Sequence, residues 1–302
     1  FVYIVMKYLL ALPFLTVAAE INVPSIRNSI LSSDAKFTAH SSTKFYDKYA
    51  DTLLTQHPIV RRNDTAVTTI FSDNIPTDYD VKEVFPKCDS PTTIFDQGSC
   101  GGCWALSVAA VTSDRFCQAG LNVVLSPQDL LDCVSGESKG CNGGFTEDGF
   151  DYINDEGIRT NSCIPFDATD GFCVSDGCCA DDLSADDKKY YTTSWAQYIS
   201  SDEDKIQSEI LENGSISAVF EVFADFFLYE SGVYKHVDGD YAGLHAVSLM
   251  GWGENEEEGS FWVVKNSWGE DFGESGFFRI ARGLDVNGVN FEGGLTAAKV
   301  QT

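Results

Sequence analysis

The order of hydrophobic patterns along the chain indicates helices first and strands later. Residues 103–117 read CWALSVAAVTSDRFC, without Gly or Pro. This run is apolar on nearly every helical face and predicts a buried helix. A second helix is predicted at SPQDLLDC, where Ser126 is the N-cap and Pro127 the first helical residue. A third is predicted over Phe145–Ile153, ending at Gly157.

The second half of the chain has the pattern of short strands. β-Branched or aromatic runs bounded by Gly- and Asp-rich turns lie at Ile216–Phe223, His245–Gly251, Phe261–Lys265 and Gly276–Ile280. Helices followed by strands predict an α+β chain with two lobes.

The beginning of the chain has the pattern of a targeting segment. Met6-Lys7 precedes the apolar run Tyr8–Ala18, and Val17-Ala18-Ala19 supplies small residues before Glu20. This arrangement predicts a secretory signal peptide over residues 1–19. The apolar run is shorter than the ~20 residues that a membrane span needs, and it contains Pro13. We therefore expect a mature form without a membrane anchor.

Charge and cysteine content change near residue 75. The chain of 302 residues has 46 acidic and 20 basic residues, a formal net charge of −26. Residues 1–75 contain seven basic and six acidic residues and no cysteine, whereas residues 76–302 contain 13 basic, 40 acidic and all ten cysteines. The break predicts a removable or separately folding N-terminal piece over residues 20–75, in which Lys44–Leu54 forms an amphipathic helix. Such acidity argues against a nucleic-acid partner.

Cys103 is the candidate nucleophile. It lies at the start of the predicted buried helix, directly after a glycine-rich turn. A thiolate is stabilised by a helix N-terminus and by a neighbouring cationic imidazole. Only His236 and His245 follow residue 75. His245 begins an apolar strand, while His236 is in the turn-like stretch YKHVDGD, so His245 is the predicted base.

Cys100-Gly101-Gly102-Cys103 also has the CxxC spacing of zinc and redox sites. Zinc would need a second ligand pair, and thioredoxin-like chemistry a surrounding βαβ pattern. The sequence offers neither, so a metal-binding, cysteine-rich structural protein is the weaker alternative. We expect no metal and no cofactor.

Three motifs resemble those of papain-like cysteine proteases. Gln97–Ala105 (QGSCGGCWA) resembles the active-site motif of that family. His245 follows Cys103 by 142 residues, and Asn266, in Lys265–Gly269 (KNSWG), follows His245 by 21, which fits the family's order and distances.

The resemblance narrows to the cathepsin B-like branch over about residues 76–300, and the segment before it resembles that branch's propeptide. The matching segments are Ser113–Cys117, Cys141–Phe145, Ser231–Tyr234 and Gly276–Ile280. The resemblance implies a papain-like fold, with a helical left lobe, a β-barrel-like right lobe and the active-site cleft between them.

The resemblance also implies the catalytic roles. Cys103 attacks the scissile carbonyl, and His245 pairs with the thiolate and protonates the leaving amine. Asn266 orients the imidazole, and Trp268 shields that hydrogen bond from water. Gln97 donates its side-chain amide to the oxyanion, together with the backbone N–H of Cys103.

Substrate-binding residues follow by the same resemblance. Gly143 and Gly144 would leave the backbone bare for an extended substrate, although an ordinary turn also explains them. Glu292 would lie at the floor of the S2 pocket, which would then accept Arg as well as an aromatic P2 residue. The walls would be Phe145, Thr146, Val219 and Ala246. Trp268 is a further expected substrate contact. The alternative for Glu292 is a solvated acid.

Two features depart from the family's pattern. Gly102 stands where Ser or Ala is usual, so we expect altered activity. Cathepsin B-like enzymes that release C-terminal dipeptides hold the substrate carboxylate with paired histidines on a loop, but residues 163–195 here contain no histidine and are acidic. The sequence therefore predicts an endopeptidase with little carboxydipeptidase activity.

The cysteines and the signal peptide indicate the secretory route, ending in a lysosome, an acidic vacuole or secretion. The resemblance pairs Cys88 with Cys117 and Cys100 with Cys141. It also implies that Cys133 and Cys163 each form a disulfide with one of three cysteines, Cys173, Cys178 and Cys179. One of those three then has no partner. Asn63 and Asn213 are candidate glycosylation sites.

The resemblance implies a zymogen whose propeptide lies through the cleft, with a mature start near Asn74–Thr77. The expected partners are protein and peptide substrates and the chain's own propeptide, and the mature form is expected to be a monomer. A catalytically silent binding relative on the same fold is the runner-up.

Overall fold

Helices dominate the first half of the molecule. The computed structural model describes residues 22–55, 74–173, 188–198, 203–283 and 295–300. The helices are α1 Val23–Ser32, α2 Lys44–Thr55, α3 Val81–Val84, α4 Cys103–Gln118, α5 Pro127–Cys133, α6 Thr146–Asp155 and α7 Glu203–Asn213. No helix in these ranges is long and apolar enough to cross a membrane.

Strands dominate the second half and form one open, largely antiparallel sheet. They are β1 Phe37–Ala39, β2 Tyr79–Asp80, β3 Ser194–Tyr198, β4 Ile216–Phe223, β5 Tyr229–Tyr234, β6 Tyr241–Asn255, β7 Gly259–Lys265, β8 Phe277–Ala281 and β9 Leu295–Lys299. Their order is β1-β5-β8-β7-β6-β4-β9-β3, with β2 paired to β6. The predicted α+β class and two-lobe architecture are confirmed.

Helix α4 is the centre of the helical lobe. It begins at Cys103, directly after its N-cap Gly102, and all but three of its sixteen residues are buried. Trp104, Val108 and Phe150 belong to the hydrophobic core that it shares with α5 and α6. The sequence CWALSVAAVTSDRFC predicted this buried helix, and the prediction is confirmed.

A polar seam joins α4 to the sheet. Lys265, the last residue of β7, is 3.4 Å from the Asp114 carboxylate on α4 and donates to the Ser90 carbonyl at 2.9 Å. Ser107 of α4 and Ser217 of β4 are hydrogen-bonded at 2.7 Å. These buried contacts fix the helix that begins at Cys103 against the strands that lead to His245 and Asn266.

The N-terminal segment, residues 22–55, packs on the sheet lobe. Strand β1 pairs antiparallel with β5, with Phe37 opposite Gly232. Phe45 and Tyr49 of α2 are buried in the core of the sheet lobe. The predicted helix over Lys44–Leu54 is confirmed by α2.

Disulfides lie mainly in the helical lobe. The bonds are Cys88–Cys117, Cys100–Cys141 and Cys133–Cys173. The first two confirm the pairs that the resemblance implies. The third confirms that Cys133 is bonded to one of the three cysteines expected for it. Cys163 is also disulfide-bonded, while Cys178 and Cys179 lie outside the described residues. Because Cys100 is bonded to Cys141, it does not form a zinc or redox pair with Cys103.

Candidate active site

The Cys103 thiol lies at the N-terminus of α4, beside β6. It is not in a disulfide, is 1% exposed and contacts Val219 and Ala246. Burial raises the pKa of this thiol to about 11, and hydrogen bonds from the backbone N–H groups of Ala246, Trp104 and Cys103 only partly oppose that rise. In this covered state the thiol is uncharged at neutral and acidic pH.

His245 lies on β6 directly before Ala246, the residue that contacts Cys103. Its Nε2 is 2.7 Å from Asn266 Oδ1. Burial lowers the pKa of the imidazole to about 4, against the opposing effect of the Asn266 hydrogen bond. Nδ1 has no hydrogen-bond partner within the described ranges. The imidazole is therefore neutral, and Nδ1 is the ring nitrogen that remains to take a proton.

Asn266 lies just beyond β7 and is held from several sides. Its backbone N–H donates to the Gly276 carbonyl at 2.9 Å, and its Oδ1 also accepts from the Ser267 N–H at 2.8 Å. The Trp268 ring, 1% exposed, stacks on the His245 ring with centroids 4.9 Å apart. The chain leaves strand β7 and turns at KNSWG, and this turn places both the Asn266 amide and the Trp268 indole against the His245 imidazole.

Gln97 lies at the turn that leads into α4 and is fully buried. Its Nε2 donates to the Cys100 carbonyl at 3.1 Å, and its Oε1 accepts from Ser267 Oγ at 2.7 Å. The backbone N–H of Gln97 donates to the Ser267 carbonyl at 2.8 Å. Sequence reasoning missed Ser267 as the residue that holds Gln97; its place between Asn266 and Trp268 was the available signal.

Two of the predicted substrate-binding residues contact the nucleophile. Val219 and Ala246 pack against Cys103. Phe145 is half-buried, and Thr146 is buried with its Oγ1 3.0 Å from Thr296 Oγ1. Glu292 lies outside the described residues.

Both predicted backbone glycines have a structural reason. Gly143 has a φ of +98°, a region that favours glycine. A Cβ on Gly144 would lie 2.6 Å from the Trp104 ring and 2.8 Å from Ser138 Oγ. The turn that they form is therefore required by packing, whether or not a substrate pairs with it.

Gly102 lies in a tight space, although its backbone, with φ −90° and ψ 15°, does not require glycine. An added Cβ would lie 3.1 Å from Leu131 Cδ2 and 3.2 Å from Cys100 Sγ. Leu131 therefore takes up the space that a side chain at residue 102 would need.

A thiol, an imidazole and an amide in this order are suited to nucleophilic acyl transfer. A helix N-terminus favours a thiolate, and the Asn266 amide fixes the imidazole ring. Burial favours the neutral forms of the thiol and the imidazole.

Comparisons with known proteins identify the family of the chain. Residues 75–296 match the family described as papain family cysteine protease. The chain is 37% identical over 257 residues to cathepsin B-like cysteine proteinase 1 of Ostertagia ostertagi, covering 76% of this chain and 74% of the relative. It is 32% identical over 292 residues to cathepsin B-like CP3 of Giardia intestinalis, covering 91% and 95%.

Solved structures give the same result. A procathepsin B from Trypanosoma congolense superposes with a TM-score of 0.79 at 29% identity, covering 93% of this chain and 99% of that one. The match to the family profile covers more than half of the chain, and the similar proproteins retain their prosegments. The chain therefore belongs to the papain family of cysteine proteases, in its cathepsin B-like branch, and has the form of a zymogen.

Proposed function

We propose that the chain is the zymogen of a cysteine endopeptidase that hydrolyses peptide bonds through Cys103, His245 and Asn266. The observation that supports this most strongly is the 2.7 Å His245–Asn266 hydrogen bond, since His245 directly precedes Ala246, which contacts Cys103 at the N-terminus of α4. Cys103 attacks the carbonyl, and His245 takes the thiol proton and returns it to the leaving amine. Gln97 and the Cys103 N–H stabilise the oxyanion.

Residues 1–19 are proposed as a signal peptide, residues 20–75 as the prosegment and residues 76–302 as the peptidase domain. The contacts of α2 support the prosegment: Tyr49 stacks on Trp268 with centroids 4.8 Å apart, and Trp268 in turn stacks on His245. A segment docked at the ring that covers the catalytic histidine keeps the centre closed. The proposed route is secretory, with an acidic vacuole, a lysosome or the extracellular space as destination.

The finer specificity rests on sequence. Residues 163–195 contain no histidine that would hold a C-terminal carboxylate, which supports endopeptidase over carboxydipeptidase action. Glu292 is proposed to accept Arg at P2 beside aromatic residues. Gly143, Gly144, Phe145, Thr146, Val219 and Ala246 are proposed as the other substrate contacts, and protein and peptide chains as the substrates of a monomeric enzyme.

Covalent labelling tests the function. An epoxysuccinyl peptide is added at about pH 5 to the zymogen and to its processed form, and labelled peptides are located by mass spectrometry. We expect Cys103 to be labelled in the processed form, and Cys103→Ala to abolish both labelling and self-processing. A processed chain that is labelled nowhere and cleaves no peptide would support the silent binding relative instead.

A further inference from the structure

Asp96 and Trp268 form a surface next to Gln97 and His245. The two residues are paired by an antiparallel β-bridge. Asp96 directly precedes Gln97, and Trp268 stacks on His245. Because His245 would protonate the leaving amine, the peptide that follows the scissile bond has to pass this imidazole and the indole on it. Val219 and Ala246, by contrast, contact Cys103 directly.

The N-terminal segment occupies this surface with one cation and one aromatic ring. Lys48 Nζ is 2.6 Å from Asp96 Oδ2. The Tyr49 hydroxyl donates to Asp96 Oδ1 at 2.7 Å, and its ring lies nearly parallel to the Trp268 ring, with an interplanar angle of 10°. In the zymogen this surface therefore binds an ammonium group, from Lys48, on the Asp96 carboxylate, and an aromatic ring, from Tyr49, on the Trp268 ring.

Removal of residues 20–75 would take both partners away from Asp96. Its remaining hydrogen bond is the one from the Gly98 N–H at 2.9 Å, within the described ranges. Its side chain is 45% exposed even with Lys48 in place. An accessible carboxylate next to an indole is suited to a Lys or Arg side chain, which gains a charge-assisted hydrogen bond and a cation–π contact.

We propose that, in the processed enzyme, Asp96 and Trp268 form a subsite that selects a basic residue shortly after the scissile bond. This inference rests on the proposed peptidase function and adds a specificity on the side of the leaving group. Asp96 is the residue that gives the subsite its charge preference, and Trp268 supplies the surface along which the stem of the basic side chain lies.

Internally quenched peptides test the subsite on the processed enzyme. Each peptide has Phe-Arg before the scissile bond and Lys, Ala or Glu at one of the three following positions. At one of these positions we expect kcat/KM for Lys to exceed that for Glu by about tenfold. Asp96→Asn should reduce this ratio to about 2 or less, and Asp96→Lys should invert it.

Asp271→Asn is the matched control. Asp271 also pairs with the N-terminal segment, through Lys44 at 3.3 Å, but it is 87% exposed. This variant should keep the wild-type ratio. Titration with an epoxysuccinyl inhibitor gives the concentration of active sites in every preparation. An enzyme that is labelled and active but shows equal rates with Lys and Glu, or an Asp96→Asn variant with an unchanged ratio, would overturn the subsite; loss of labelling in the wild type would overturn the peptidase function instead.

Discussion

The imidazole of His245 donates its Nε2 proton to an Asn266 oxygen whose orientation is already fixed by the chain. Oδ1 accepts from His245 at 2.7 Å and from the Ser267 N–H at 2.8 Å. Two donors on one oxygen keep the amide from turning its NH2 group toward the ring. The tautomer with the proton on Nε2 follows, and Nδ1 is left to accept the thiol proton.

Asn266→Ala should therefore lower kcat more than it raises KM. Without the amide the ring has no fixed tautomer, and the loss is expected at about 100-fold, the low end of general acid–base catalysis. Kinetics on a peptidyl aminomethylcoumarin, normalised by active-site titration, measure it. Asn154→Ala on the exposed side of α6 is the control. Equal kcat in the two variants would remove Asn266 from the mechanism.

The sequence predicted those helices and strands whose hydrophobic pattern lies within one continuous stretch of chain. The buried helix at Cys103 and strand β4, with the predicted ends Ile216 and Phe223, were visible because their patterns lie within one stretch of chain. Strand β1 was missed, because Phe37 pairs with Gly232 almost two hundred residues later. Helix α1 was missed too, although Asn22 caps it.

The residues that contact the catalytic groups were predicted less well than the catalytic groups themselves. The motifs named Cys103, His245 and Asn266, since nucleophile, base and orienting amide have chemically distinctive side chains. Ser267 and Asp96 are a common hydroxyl and one carboxylate among 46 acidic residues. Only the folded chain shows that one holds Gln97 and the other receives Lys48 and Tyr49.

Acidification should destabilise the zymogen through His245. Burial lowers its pKa from 6.5 to about 4. The unfolded or opened chain therefore binds more protons than the closed one between these values, and stability falls as pH decreases through that window. The full effect is about 3 kcal/mol. Urea unfolding of the Cys103→Ser zymogen, which cannot process itself, measures it from about pH 7 to pH 4.

The double variant Cys103→Ser/His245→Gln is the control for that experiment. It lacks the titrating ring but keeps a hydrogen-bonding side chain of similar length. Its free energy of unfolding should fall less over the same pH interval, by about 2–3 kcal/mol. Parallel pH profiles for the two proteins would contradict a role for His245 in acid opening.

Asp96 should hold the N-terminal segment at mildly acidic pH as well as at neutral pH. Burial raises its pKa, but the hydrogen bonds from Lys48, Tyr49 and the Gly98 N–H outweigh that effect and lower it below 3.8. The contribution is thus present above the ordinary aspartate pKa and is lost only as pH falls through the lower folded value. Release of the segment at about pH 5 would have to begin elsewhere, and His245 is the group that titrates in the right direction.

A double-mutant cycle with Tyr49→Phe and Asp96→Asn in the Cys103→Ser zymogen tests this contact. We expect a coupling free energy of about 1 kcal/mol, discounted for the exposure of Asp96. The same value should be obtained at about pH 7 and pH 5. A coupling that vanishes at pH 5 would show that Asp96 is already protonated there.

Glu292→Ala should reduce cleavage of substrates with Arg at P2 much more than cleavage of substrates with Phe at P2. If the carboxylate lies at the floor of the S2 pocket, its loss removes the partner of an Arg side chain and leaves an apolar pocket for Phe. We expect cleavage after Arg-Arg to fall at least about tenfold and cleavage after Phe-Arg to stay within about twofold. Glu156→Ala, which removes an exposed carboxylate just after α6, is the control. Equal losses on both substrates would refute the pocket assignment.

Release of C-terminal dipeptides should be slow, and Asp96 gives a physical reason beyond the missing histidines. A free carboxylate two residues after the scissile bond would lie on the leaving-group side, where the Asp96 carboxylate repels it. Matched peptides that end in a free acid or an amide measure this, with dipeptide release followed by mass spectrometry. The amide should be cleaved about tenfold faster, and Asp96→Asn should narrow the difference. Efficient release of the dipeptide acid by the wild-type enzyme would contradict both the endopeptidase assignment and the charge of this surface.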